Sequence, residues 1–192
     1  VDPAYAAELA KKIDLDHATQ VSGHGMPPHW EGDIFGKHTT FLCTADAEGS
    51  WVALNQTINT GFGSKVVIPG TGVLLNNEMD DFAVQPGVPN AFKLVGAEAN
   101  AIAPGKRPLS SMSPTIVLKD GKPFIVTGAA GGPTIITQAL LLISNIIDDG
   151  MLPAAALAEP RFHHQWNPDE LKIEKAFGEG TLSRVKALGH KL

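Results

Sequence analysis

Two pairs of strand-length runs, each joined by a short turn signal, constrain the fold of this 192-residue chain more than any other feature. Residues 40–46 and 51–58 flank Ala47-Glu48-Gly49-Ser50, and residues 115–119 and 123–127 flank Asp120-Gly121. Strands separated by so few residues pair antiparallel, and Asp-Gly suits the left-handed backbone of a two-residue hairpin turn. A Gly-rich segment, Gly128-Ala129-Ala130-Gly131-Gly132, then leads into a helical run over 133–147, with Pro133 in its first turn and Gly150 beyond its end. A short Ala-rich helix over 153–158, a strand over 171–175 and a last helix over about 181–188 complete this half. At the other end, residues 2–13 read as a helix with Asp2 as N-cap and Pro3 in the first turn. Hairpins followed by helices predict an α+β layered sandwich. Residues 17–38 are polar and rich in Gly and Pro and read as a linker, and residues 59–72 form a Gly-rich loop. Residues 82–109 make a Pro/Gly-punctuated loop of a length that usually serves function.

Composition excludes several classes of function. With a formal net charge of −5 and no basic tract, the chain is a poor match for nucleic acid. No apolar run reaches the ~20 residues of a membrane span. The longest candidate, residues 139–147, is interrupted by Ser144 and Asn145 and stops at Asp148-Asp149. Cys43 is the only cysteine, so no intrachain disulfide can form, and its apolar mid-strand neighbours mark it as a core residue rather than a nucleophile. Val1-Asp2-Pro3, without an initiator Met, reads as the start of a processed or truncated fragment.

Few segments carry chemistry on their own. Residues 128–132, between a strand and a helix, present backbone N–H groups and the positive end of a helix dipole to an anion. They lack the Lys-Ser/Thr of a phosphate loop, and a simple turn remains open. Asn76-Asn77-Glu78-Met79-Asp80-Asp81 follows the buried-looking Val73-Leu74-Leu75, so its carboxylates either hold an ammonium group at a core edge or form a solvated turn. Ser110 and Ser111 are ordinary turn residues by themselves. His163 and His164 are adjacent on an extended segment and point to opposite faces, which disfavours a shared metal. No zinc-type Cys/His spacing accompanies them, and Gly-x-Ser-x-Gly is absent.

Together these segments resemble one family. The order Thr39-Thr40, Gln56-Thr57-Ile58-Asn59, then Gly72 through Phe82, is similar to that of γ-glutamyltransferases. So are Pro104 through Thr115, the 128–132 glycine segment, and Glu159-Pro160-Arg161-Phe162-His163-His164-Gln165. The likeness runs from Thr39 onward, and residues 1–38 resemble the end of that family's large subunit.

The resemblance implies an N-terminal-nucleophile hydrolase fold, a four-layer αββα sandwich of which this chain is a part. Residues 1–38 would be the end of the large-subunit segment with its linker, and residues 39–192 the small-subunit catalytic region, short of the family's C-terminus. Self-cleavage between His38 and Thr39 would expose Thr39 as nucleophile, with its own α-amine, titrating near ~7.7–8, as base. By similarity Thr57 orients the Thr39 hydroxyl, and Asn59, Glu78 and Asp81 hold the α-amino group of a γ-glutamyl unit. Ser110 and Ser111 grip its α-carboxylate, and Gly131 and Gly132 donate N–H groups to the oxyanion. The implied reaction is γ-glutamyl transfer from glutathione-like amides to water or to amino-acid acceptors, with no metal or organic cofactor. The implied location is periplasmic or secreted. The alternatives are a related acylase acting on glutaryl-β-lactam or polyglutamate amides, and an unprocessed homologue serving as a binding module. Two departures stand out: Phe41 occupies a position where the family often has His, and the family's large-subunit arginine is not in this chain.

Overall fold

The computed structural model describes residues 3–12, 39–165 and 167–192. The chain divides into two units, Val1–Ile34 and Phe35–Leu192. In the first, helix α1 spans Pro3–Ala10, started by the proline and carrying an exposed Glu8–Lys12 ion pair one turn apart. The expected cap at Asp2, the helix end at position 13 and the linker over 17–38 lie outside the described residues.

The second unit is built from antiparallel hairpins. Strands β1 (Thr39–Ala45) and β2 (Trp51–Thr57) pair from Thr39 opposite Thr57 to Ala45 opposite Trp51. Their turn is closed by Asp46, whose carboxylate accepts the Ser50 N–H at 2.7 Å, and by Gly49 with φ +91°. β2 alternates half-buried Trp51, Ala53, Asn55 and Thr57 with exposed Val52, Leu54 and Gln56, the period-two pattern of a sheet covered on one face. Residues 42–50, the turn end of the hairpin, are all exposed. Cys43 is therefore exposed, contrary to the core position its apolar neighbours suggested.

Strands β3 (Thr115–Lys119) and β4 (Lys122–Thr127) turn at Asp120 and Gly121, both with positive φ, as Asp-Gly predicts. A register shift after Val117 absorbs Pro123, which cannot donate to the ladder. β2 packs against β3 and β4, and helix α2 (Thr134–Ile147) packs on β4. Their contact holds the core residues Ile125, Thr127, Ile135 and Ala139. Helix α3 (Pro153–Ala158) adds Ala156, and β5 (Phe162–Gln165) pairs with β6 (Glu170–Ile173), which adds Leu171. Helix α4 (Gly178–Ala187) ends the fold. β5 was not expected as a paired strand; His163 is buried on it and His164 exposed, as alternation requires. Val73 and Leu75 do not meet the expectation of burial: they are exposed, and only Leu74 closes a bridge, to Val67.

The glycine segment approaches its surroundings closely. A Cβ on Gly128 would collide with the ring of Phe41, so Phe41 fills the space that this glycine leaves. Gly128→Ala is expected to lower stability by about 1–3 kcal/mol, the usual cost of overpacking, read as a fall in the denaturation midpoint of the full-length protein.

Candidate functional site

The hairpin register sets the site. Thr39 opens β1 directly opposite Thr57, the last residue of β2, and the Thr39 hydroxyl donates to Thr57 Oγ1 at 3.2 Å. Thr57 Oγ1 also accepts the N–H of Asn59 at 2.9 Å, which fixes the chain as it leaves the strand. Asn59 is buried with φ +76°, a left-handed conformation that asparagine tolerates better than most residues. Its side-chain amide donates to the Asn77 carbonyl at 3.1 Å, while Asn77 Oδ1 accepts from the N–H and hydroxyl of Thr60 at 3.1 and 2.9 Å. Asn77 thereby ties the end of β2 to the acidic segment that follows it.

Glu78–Asp81 form one 3₁₀ turn, which stacks side chains three residues apart and puts both carboxyl groups on one face. Asp80 turns elsewhere and accepts the Ala91 N–H at 3.0 Å. Removal from water, then the charge and hydrogen bond of Asp81, push the Glu78 carboxyl up to about 7. Asp81 is raised too, chiefly by desolvation. Among the described residues, Glu78 Oε1 is buried with no hydrogen-bond partner. Two half-buried carboxyls on one face, both raised by burial, have the chemistry to take a cation between them, which would favour their charged forms.

The pair leaves a mark on stability. Glu78 keeps its proton in the folded chain up to about 7, while the unfolded chain releases it near 4.5. The native state therefore binds more protons across that window, and stability falls as pH rises through it. Denaturant titrations of the full-length protein from pH 4 to 8 should show wild type losing stability relative to Glu78→Gln between about 4.5 and 7 and not beyond. A difference that does not change with pH would contradict this.

An open cleft of about 320 Å³ gathers these groups. Its walls include Thr39, Thr57, Asn59, Glu78, Asp81, Ser110, Ser111 and Gly132. Gly131 is not on the wall but adjoins it, with φ +140° beside +58° at Gly132. Eight of the nine expected residues thus meet in one place although they span 94 positions of sequence, from 39 to 132.

A profile of the gamma-glutamyltranspeptidase family matches residues 1–192. The chain belongs to that family. It is 49% identical over 189 residues to a glutathione hydrolase proenzyme of Escherichia coli, covering 98% of this chain and 32% of that protein. A crystal structure of a gamma-glutamyltranspeptidase mutant from Helicobacter pylori aligns with TM-score 0.77 and 51% identity over 79% of this chain and 82% of the other. A cephalosporin acylase structure from Bacillus halodurans aligns with TM-score 0.68 and 27% identity over 98% of this chain and 31% of the other. The chain spans about a third of the length of the curated relatives it matches. As a gamma-glutamyltranspeptidase sequence it carries part of the N-terminal-nucleophile hydrolase α+β fold. No helix among the described residues is long and apolar enough to cross a membrane.

Sequence reasoning missed the apolar walls of the cleft, Phe92, Met112 and Ile135. Phe92 arrives there because Asn90 organises its loop, accepting the N–H groups of Phe92 and Leu94 at 3.0 Å each and donating to the Asp80 carbonyl at 3.2 Å. It also seals the glycine segment, since a Cβ on Gly132 would sit 2.9 Å from its ring. Asn77, the half-buried staple beneath the site, lay within the quoted motif but had no role assigned; an Asn shortly after an apolar run was its only signal.

Proposed function

We propose that this chain is the catalytic region of a γ-glutamyl-transferring enzyme, with residues 39–192 forming its small subunit once the bond between His38 and Thr39 is cut. The observation that carries this reading is the shared cleft: Thr39, the acidic Glu78 and Asp81, Ser110 and Ser111, and Gly132 of the glycine segment line one space. Such a set fits a substrate with ammonium, carboxylate and amide carbonyl in one molecule.

After cleavage, the free α-amine of Thr39 takes the proton of its own hydroxyl as the oxygen attacks the γ-carbonyl. Thr57 holds that hydroxyl in line. Gly131 and Gly132 N–H groups stabilise the oxyanion, a contribution that can reach ~3–4 kcal/mol per donor. As the intermediate collapses the ammonium returns the proton to the leaving amine, giving a γ-glutamyl ester on Thr39. Water or an amino acid then attacks the ester, losing a proton to the same amine, and regenerates the hydroxyl. Asn59, Glu78 and Asp81 receive the substrate ammonium, and Ser110 and Ser111 its carboxylate. Because Glu78 must give up its proton to pair with an ammonium, KM is expected to rise as pH falls below about 7.

The substrate class is glutathione and other γ-glutamyl amides, the partner is the large-subunit segment of the same precursor, and the location is the periplasm or outside the cell. N-terminal sequencing of the purified full-length protein tests the reading: a chain beginning at Thr39 supports it. An intact chain without turnover of a γ-glutamyl anilide favours a non-catalytic binding module instead.

A further inference from the structure

We infer that Asn55, Thr134 and Gln138 are positioning residues that aim the amides of the glycine segment, because side chains from β2 and α2 grip its three consecutive carbonyls. The inference rests on the proposal that Gly131 and Gly132 donate to the oxyanion. Asn55 Nδ2 donates to the Ala129 carbonyl at 2.8 Å. Gln138 Nε2 donates to the Ala130 carbonyl at 2.9 Å and, with its second hydrogen, to Thr134 Oγ1 at 3.0 Å. The Thr134 hydroxyl passes its own hydrogen to the Gly131 carbonyl at 3.0 Å. Backbone carbonyls only accept, so the amide nitrogens must face them and neither side-chain amide can be turned round.

A trans peptide is planar, with its N–H pointing opposite to its C=O. Fixing the carbonyls of Ala129, Ala130 and Gly131 therefore fixes the N–H directions of Ala130, Gly131 and Gly132. The segment needs such restraint, because glycine has the widest backbone freedom and two adjacent glycines would let these planes swing. A carbonyl engaged in a hydrogen bond also polarises its own peptide, making the N–H a better donor. One grip, that of Gln138, lies away from the first cleft. Gly128, Ala129 and Gln138 line a second cleft of about 420 Å³ against α2 and α3, whereas Gly132 lines the first. The segment thus runs between two clefts, with three consecutive carbonyls held by side chains of β2 and α2.

The test uses the full-length processed protein with Gln138→Met, which keeps length without donors, and the pair Thr134→Val and Thr134→Ser. Turnover of a γ-glutamyl anilide is measured, with binding of glutamate and of a boronic acid analogue that presents a tetrahedral oxyanion. Gln138→Met and Thr134→Val should each lower kcat by about tenfold, a fraction of what deleting a whole oxyanion donor costs. Boronate binding should weaken in parallel, KM and glutamate binding should stay within about twofold, and Thr134→Ser should recover most of the loss. If Gln138→Met does not fold, the Thr134 pair carries the same test. Unchanged kcat in folded variants, or Thr134→Ser as impaired as Thr134→Val, overturns the inference alone. A wild-type enzyme that binds the boronate no more tightly than glutamate removes the oxyanion assignment, and the inference with it.

Discussion

Thr39→Ala is expected to abolish both self-cleavage and turnover, the largest effect of any single substitution in the chain. The hydroxyl lost is the one that Thr57 holds at 3.2 Å, at the head of β1. Removing a nucleophile that works as a unit with its base typically costs on the order of 10⁴-fold or more in kcat. Two defects must be separated, because an uncut precursor also lacks the free amine. Co-expressing residues 39–192, with Thr39→Ala at a true N-terminus, alongside the upstream segment supplies the cut without the hydroxyl. Turnover of a γ-glutamyl anilide should remain at background there, while Thr39→Ser in the same format should retain activity. Near-normal rates with Thr39→Ala would remove Thr39 from the chemistry.

Asp81→Asn should produce the second largest loss, and a selective one. Asp81 shares its face of the 3₁₀ turn with Glu78, and both carboxyls are raised by burial. The amide keeps the shape and a hydrogen bond to Glu78 but halves the charge available to an ammonium. Truncating one member of a desolvated charge pair costs about 2–5 kcal/mol, so kcat/KM on a γ-glutamyl anilide should fall on the order of 10²-fold or more, mainly through KM. A glutaryl anilide, which lacks the ammonium, should change by less than about threefold. An equal loss on both substrates would mean that Asp81 supports the fold rather than reading the amine. A wild-type enzyme that already prefers the glutaryl compound would favour the acylase reading.

Local chemistry explains which parts of this molecule could be read in advance. Asp120 and Gly121 adopt the positive φ values their hairpin turn demands, and α3 occupies the Ala-rich stretch begun by Pro153. These features depend on neighbours a few residues away. β5 could not be read in that way: Phe162-His163-His164-Gln165 has no apolar alternation, and becomes a strand only because β6 pairs with it. Cys43, Val73 and Leu75 were misjudged for a related reason. An apolar run marks burial only where another element covers it, and the turn end of the first hairpin is uncovered.

The site divides along the same line. That the acidic segment could hold an ammonium group was one of two open readings of its residues, yet the meeting of Glu78 and Asp81 with Thr39 depends on the Asn59–Asn77 staple and on strand register. Family resemblance, rather than residue physics, brought those positions together in the sequence reading. Phe92 shows what neither could supply, because an apolar wall residue in a loop has no distinguishing pattern until Asn90 is seen to bend the chain.

The terminal rung of the first hairpin has a further consequence. Because the described pairs of this strand begin at Thr39, a break on its upstream side leaves every partner from Thr39 to Ala45 in register. Maturation would then create a new positively charged end without unzipping the sheet that supports it. On the proposed reading, scission alone would suffice to switch such an enzyme on, with the Thr39 hydroxyl already beside Thr57 when the bond opens.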